Sequence, residues 1–309
     1  MTTAQPSLTN AEFDALFHEV SNWDRWGAQS ARGTLNYLTP DRVVAAARLV
    51  RTGISVSLSL PLDSDASLHN PVPAQHRMTQ LADDESTAEQ FIKDYVGADY
   101  HNDGHSHLDA LCHVSYLGKL FTGVPASSAT EAGAALGDVI AVSDGIVGRG
   151  ILLDIPRLRS ASWTEPGDQV TADELVAAEQ SQHVRVGLGD LLFVRQGHNL
   201  RLAKLGSWDT PRAKAGLHPL TARFLSERHI AVLGSDTNSD AAPSTTERVP
   251  FPIHVLAINA MGLFLLDYLQ LEDLAALCEH LGRWEFLCIV APLRTPGGTG
   301  SPVNPIAVF

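Results

Sequence analysis

Apolar side chains at Phe13, Leu16, Phe17 and Val20 recur at helical spacing, so residues 10–22 are expected to form a short amphipathic helix. The Gly- and Trp-containing stretch WDRWGAQSARGTLNYLTP breaks that period and reads as an ordered loop. Pro40-Asp41 then opens a second helix through Ala45, Ala46 and Leu49, closed at Gly53. The segment ISVSLSLPL alternates apolar and hydroxyl side chains, the period of a strand with one half-buried face. Residues 62–90 mix Asp, Ser, Pro, His and Gln without period and predict a long loop, a length more often functional than idle. From residue 138 onward, short apolar strands alternate with helices. VIAVSDGIVGRGILLDI predicts two strands around Asp144-Gly145, and DLLFVRQG, IAVLGSD, LFLLDYL and FLCIVAPL predict further buried strands. Helical patterns cover 171–180, 218–229, 253–261 and 271–282, and a Gly/Pro-rich tail ends the chain. No internal repeat or linker-like break interrupts this order. One mixed α/β domain over residues 1–309 is expected, layered from sheets and helices, with residues 1–22 as an N-terminal helical extension.

Composition narrows the class. Of the 309 residues, 44% are apolar and 18% charged, too apolar for disorder. The 35 acidic against 22 basic side chains give a formal net charge of −13, which argues against nucleic-acid or anionic-membrane partners. The odd set Cys112, Cys278 and Cys288 is too widely spaced for a disulfide framework or a CxxC zinc module and fits a reducing compartment. No secretory signal is visible at the N-terminus, and no segment reaches the ~18 apolar residues of a membrane helix. A soluble cytoplasmic protein is expected.

The chemistry concentrates in Asp103-Gly-His105-Ser-His107-Leu-Asp109-Ala-Leu-Cys-His113. In an extended chain, side chains two apart share a face, so these five odd-numbered groups project together. Leu108, Ala110 and Cys112 form the buried opposite face. Five titratable groups on one strand face repel or stay unsatisfied unless a counter-ion joins them. A divalent cation resolves the conflict, because imidazole and carboxylate are its ordinary ligands.

This segment resembles the signature His-x-Gly-Thr-His-x-Asp-x-Pro-x-His of the metal-dependent cyclase family, which includes bacterial kynurenine formamidase and isatin hydrolase. His107, Asp109 and His113 match the second His, the Asp and the last His; Asp103, His105, Ser106 and Leu111 stand for the first His, Gly, Thr and Pro. WGAQSARGTLNYLTP, GDLLFVRQGH, IAVLGSDTNS and GGTGSPVNPIAVF resemble further family segments in the expected order. In FPIHVLAINAMGLFLLDYLQLEDL, His254 matches the family's C-terminal His, and Asp267 stands where formamidases carry Glu. The resemblance implies a swivelling β/β/α cyclase-like fold, usually as a homodimer or homotetramer. It also implies a zinc or manganese site built from His107, Asp109, His254, Asp267 and one of Asp103 or His105.

The expected activity is hydrolysis of an amide, lactam or related acyl bond in a small molecule. His113 is expected to move protons, since an ideal strand puts it about 13 Å beyond Asp109, too far to ligate unless the chain bends. A cyclisation or dehydration catalyst, or a non-catalytic metal or ligand binder, are the other readings. Trp26, His218 and Asp236 are candidates for substrate contact; Asp236 ends a buried strand, where ligands often sit in α/β folds. His69, His76, His101, His183, His198, His229 and His280 lack a spacing partner and are expected as surface residues.

Overall fold

The computed structural model describes residues 7–84 and 89–309. Residues 1–6 of the expected N-terminal extension and 85–88 of the expected 62–90 loop lie outside the described residues. Nine strands build one mixed sheet: β1 (Ser55–Ser57), β2 (His107–Asp109), β3 (Ile146–Asp154), β4 (Leu191–Arg195), β5 (Val232–Ser235), β6 (Phe264–Asp267), β7 (Glu285–Val290), β8 (Gly300–Pro302) and β9 (Ile306–Val308). Their spatial order is β1-β9-β7-β3-β4-β5-β6-β2-β8. The central strands β3, β4, β5 and β6 run parallel, and every other pairing is antiparallel. Parallel strands covered on both faces read as continuous apolar runs. Accordingly Leu191–Val194, Val232, Leu233 and Phe264–Leu266 are fully buried.

Helices cover the sheet where the 3.6-residue period predicts them. Helix α1 (Asn10–Val20) starts at a capping box, Thr9 Oγ1 accepting from the Glu12 amide and Glu12 Oε2 from the Thr9 amide. It buries Phe13, Leu16, Phe17 and Val20, each contributing about 1.5–3 kcal/mol relative to exposure. That face packs on the buried segment 252–261, so α1 belongs to the core and is not an appended extension. Helices α2 (Pro40–Ala47), α5 (Thr221–Glu227) and α6 (Glu272–Leu281) fall within the expected segments, and α3 (Ala172–Ser181) runs one residue past its own. Helix α4 (His198–Leu205) was not anticipated; its buried residues are the polar His198 and Asn199, so its inward face is not marked by apolar side chains. No helix among the described residues is long and apolar enough to cross a membrane.

Other departures have local causes. VIAVSDGIVGRGILLDI holds one strand, not two: Val139–Val142 forms a 3-10 turn, and the chain becomes extended only after Gly145, at φ 84°. Within 62–90, Gln75–Gln80 pairs antiparallel with Lys93–Gly97 in a hairpin whose residues are almost all exposed. With both faces toward solvent it has no alternation to betray it. Only Ser55–Ser57 of ISVSLSLPL joins the sheet, as an edge strand beside β9. Gly33 is obligatory where the N-terminal loop meets the core. It has φ 46°, and a Cβ there would lie 1.9 Å from the Gly262 carbonyl that accepts from the Thr34 amide.

Candidate metal centre and cavity

Register assembles the centre. Strand β2 lies between β6 and β8, with His107 opposite Asp267 and Asp109 opposite Leu265. Directly opposed residues share a face, so His107, Asp109 and Asp267 point one way while Leu108 and Leu266 enter the core. The extended stretch then stops. The His113 amide bonds the Ala110 carbonyl at 3.0 Å, and this turn brings His113 back over Asp109. A third imidazole comes from the segment 252–261, where π-type hydrogen bonding follows directly after His254. Such widened turns are often found at functional sites.

Asp109 sits at the focus. His101 Nδ1 lies 2.9 Å, His107 Nε2 3.6 Å and His113 Nε2 3.9 Å from its Oδ1. His254 Nε2 lies 3.5 Å from Asp109 Oδ2 and 3.4 Å from Asp267 Oδ2. Both Asp109 oxygens, Asp267 Oδ1 and His101 Nδ1 are buried with no aligned hydrogen bond. The far sides of two rings are fixed: His107 Nδ1 meets the His105 carbonyl at 2.8 Å, and His254 Nδ1 meets Asp240 Oδ2 at 2.6 Å. Contacts at Nδ1 turn each Nε2 toward the carboxylates, and it is this nitrogen that would offer its lone pair to a cation once neutral.

The electrostatics follow from this packing. Burial alone raises the Asp109 carboxyl, but His113, His101 and His254 outweigh it and hold its pKa well below the usual carboxylate range. Burial raises Asp267 despite His254. His254 is pulled well above the usual imidazole value, because Asp109, Asp240 and Asp267 together outweigh its desolvation. His113 falls to about 4, chiefly from burial and against the attraction of Asp109.

Not all of the expected residues meet here. His107, Asp109, His113, His254 and Asp267 are brought together at a cavity of about 900 Å³. Asp103 lines the same cavity, but its carboxylate accepts from Tyr268 Oη and Thr210 Oγ1 and stays apart from the cluster. His105 is fully buried outside the cavity lining, because β2 begins only at His107 and parity does not carry through the preceding turn. Trp26 packs edge-on against Tyr37 with centroids 5.3 Å apart, away from the cavity lining. His218 Nδ1 accepts from the Leu220 amide at 3.2 Å ahead of α5, again outside the lining. Asp236 is wholly consumed by the start of α4, accepting from the amides of Gln196, Gly197 and His198 at 2.8, 2.7 and 2.9 Å. It is a structural cap for that helix.

Four cavity residues escaped the sequence reading. His101 was assigned to the surface although it shares the parity of Asp103. Asp240 carried no spacing signal; it grips His254 and also accepts from the Ile253 amide at 2.7 Å. Tyr268 and Lys214 reach the cavity from the end of β6 and from the loop before α5.

The mixed α/β fold is shared with structures of the cyclase family. Residues 56–241 match the family model described as "Putative cyclase", and the chain belongs to this family. A crystal structure described as a novel cyclase superposes at TM-score 0.85 with 30% identity, over 95% of this chain and 99% of that one. Isatin hydrolase of Roseibium aggregatum is 28% identical over 152 residues, 48% of this chain and 55% of the enzyme, so the match spans just over half of that relative. Isatin hydrolase A from Labrenzia aggregata, solved with benzyl benzoate, shares the fold at TM-score 0.60 and 21% identity, over 86% of this chain and 97% of that one.

Proposed function

We propose that this protein is a metal-dependent hydrolase that cleaves an amide, lactam or related acyl bond of a small molecule. The observation that carries the reading is the Asp109 carboxylate, buried with neither oxygen hydrogen-bonded and surrounded by imidazole nitrogens. Atoms that share a cation at about 2.0–2.2 Å lie roughly 3–3.5 Å from one another. The separations of 3.4–3.6 Å here are too long for good hydrogen bonds and suit co-ligands. Two candidate ligand groups share Asp109, one with His101 and His113 and the other with His107 and Asp267, and His254 Nε2 lies 3.5 Å from Asp109 Oδ2 and 3.4 Å from Asp267 Oδ2. The donors are nitrogen and oxygen without thiolate, which suits zinc or manganese. A divalent cation there supplies Lewis-acid polarisation of the acyl carbonyl and a lowered pKa for water.

The chain's own groups supply the rest. His113 stacks on His101, centroids 4.0 Å apart and planes within 6°, and faces the cavity. Kept neutral by burial, it accepts a proton from the attacking water and returns it to the leaving nitrogen. Asp240 holds His254 in one tautomer. Val249, Phe251 and Val255 give the cavity an apolar wall for the body of the substrate. Elemental analysis of the purified protein should find bound zinc or manganese, and chelation should abolish turnover of acyl substrates. Product formed in 18O-labelled water should carry the label; unlabelled product would favour cyclisation or dehydration instead. We also propose a homodimer or homotetramer. Met78, Leu81, Phe91, Ile92, Tyr95 and Val96 are exposed on and beside the hairpin, and an isolated hairpin is marginal in water without cover.

A further inference from the structure

The cavity holds two cations that have no carboxylate partner among the described residues, Lys214 and Arg248. Lys214 is only 4% exposed, yet it lines the cavity. Its backbone is pinned by reciprocal bonds with Ala242, Lys214 N to Ala242 O at 3.0 Å and Ala242 N to Lys214 O at 2.9 Å. Its Nζ donates to Tyr268 Oη at 3.0 Å. Tyr268 in turn donates to Asp103, whose other oxygen accepts from Thr210. The phenol is therefore saturated, whereas an ammonium has three N–H groups and this one has a single protein partner. Burying an ammonium so incompletely solvated is costly unless an anion meets it. Arg248 stands exposed at the rim of the same cavity. On a chain of net charge −13, both cations face the space where substrate binds.

From this arrangement we infer that the substrate carries a carboxylate separate from the bond that is cleaved, received by Lys214 with Arg248 at the rim. The inference rests on the cavity being the substrate pocket of the hydrolase proposed above. Water then adds hydroxyl to the acyl carbon and a proton to the leaving nitrogen, so the acyl product bears two carboxylates if the anion lies on the acyl side. The competing view is that Lys214 only balances Asp103 through Tyr268.

Calorimetric binding of three matched pairs separates these views. The 2-, 3- and 4-acetylbenzoates, each joining an acyl carbonyl to a separate carboxylate, are compared with the diacetylbenzene in which a neutral methyl ketone replaces that carboxylate. At least one acetylbenzoate should bind about tenfold or more tightly than its partner, the scale of one charge-assisted hydrogen bond. Lys214→Met should erase that advantage while leaving the diacetylbenzene affinity within about twofold, and Lys214→Arg should retain part of it. If Lys214→Met does not fold, Lys214→Gln, which keeps a donor for Tyr268, takes its place. No discrimination in any pair, or an advantage that survives loss of the ammonium, overturns the inference. Metal content measured on the same samples tests the hydrolase reading separately, since the affinity ratio does not depend on turnover.

Discussion

Replacing Asp240 by Asn tests whether the carboxylate behind His254 sets up the metal centre. Asp240 Oδ2 faces His254 Nδ1 at 2.6 Å and the His254 amide at 3.1 Å, while Oδ1 accepts from the Ile253 amide at 2.7 Å. Asn preserves the shape but offers only one acceptor. If its oxygen faces His254, its NH2 meets the Ile253 N–H, and a buried donor left unpaired costs about 1–3 kcal/mol. If it turns over, the NH2 faces His254 Nδ1 and forces the other tautomer. Nε2 then carries the proton and points a hydrogen, not a lone pair, at Asp109 and Asp267. Either way the site suffers, and loss of such a supporting group typically lowers metal affinity about 10–100-fold. Competition against a fluorescent chelator gives that affinity, and a thermal melt of the same protein gives the stability. Metal affinity within twofold of wild type, with an unchanged melting temperature, would refute the reasoning.

His101→Ala should lose metal by elemental analysis, because His101 Nδ1 is the nitrogen nearest Asp109 Oδ1 at 2.9 Å; full metal content would return the ligand role to another residue. His113→Ala should keep its metal but lose about 10²–10⁴-fold in turnover, the usual scale of general acid–base catalysis. Loss of metal along with activity would make it a ligand. His198 gives a pH signature in the fold itself. Burial first, then Lys214, His69 and Arg201, lower its pKa to about 4 despite Asp103. A lowered imidazole stabilises the folded state above its unfolded value near 6.5, and that contribution is lost as pH falls toward 4. His198→Asn should therefore lose less stability than wild type between pH 7 and 4.5 in urea unfolding, by about 2–3 kcal/mol. Parallel losses would show that His198 is not the titrating group.

Much of this architecture was legible because burial and period coincide. Helix α1 and the strands β4, β5, β6 and β7 are buried on the face or faces their apolar spacing implies. The hairpin Gln75–Gln80/Lys93–Gly97 and the start of β3 were misread because hydrophobicity misleads at both, absent as a pattern in one and present in the 3-10 turn Val139–Val142 before the other. One is solvated on both faces, and the other is delayed by a turn at a left-handed glycine. At the centre, parity worked only across the three residues of β2. Beyond them, turns decide direction. His105 is therefore buried elsewhere, while His113 lies within 3.9 Å of Asp109 where an ideal strand would have carried it about 13 Å away.

The departures at Asp103 and His101 belong to one rearrangement. Asp103 occupies the place of the family's first His, but its carboxylate is held by Tyr268 and Thr210 and does not turn toward Asp109. His101, earlier in the same loop, supplies an imidazole nitrogen beside Asp109 Oδ1, while its Nε2 is steadied by Thr299 Oγ1 at 3.0 Å. The loop can do this because it is not a strand: Asn102 N bonds the Tyr100 carbonyl, and the Asn102 side chain accepts from the Gly104 amide. A change that looks like a lost ligand in the linear motif thus leaves the cluster with its imidazoles and releases a carboxylate. That carboxylate fixes the Tyr268 hydroxyl, and the hydroxyl fixes Lys214 on the cavity wall. The Asp103 carboxylate therefore holds the arm we assign to the substrate's carboxylate, so changes at Asp103 and at Lys214 should both weaken anion recognition while cation binding, carried by the separate Asp109 cluster, stays near wild type.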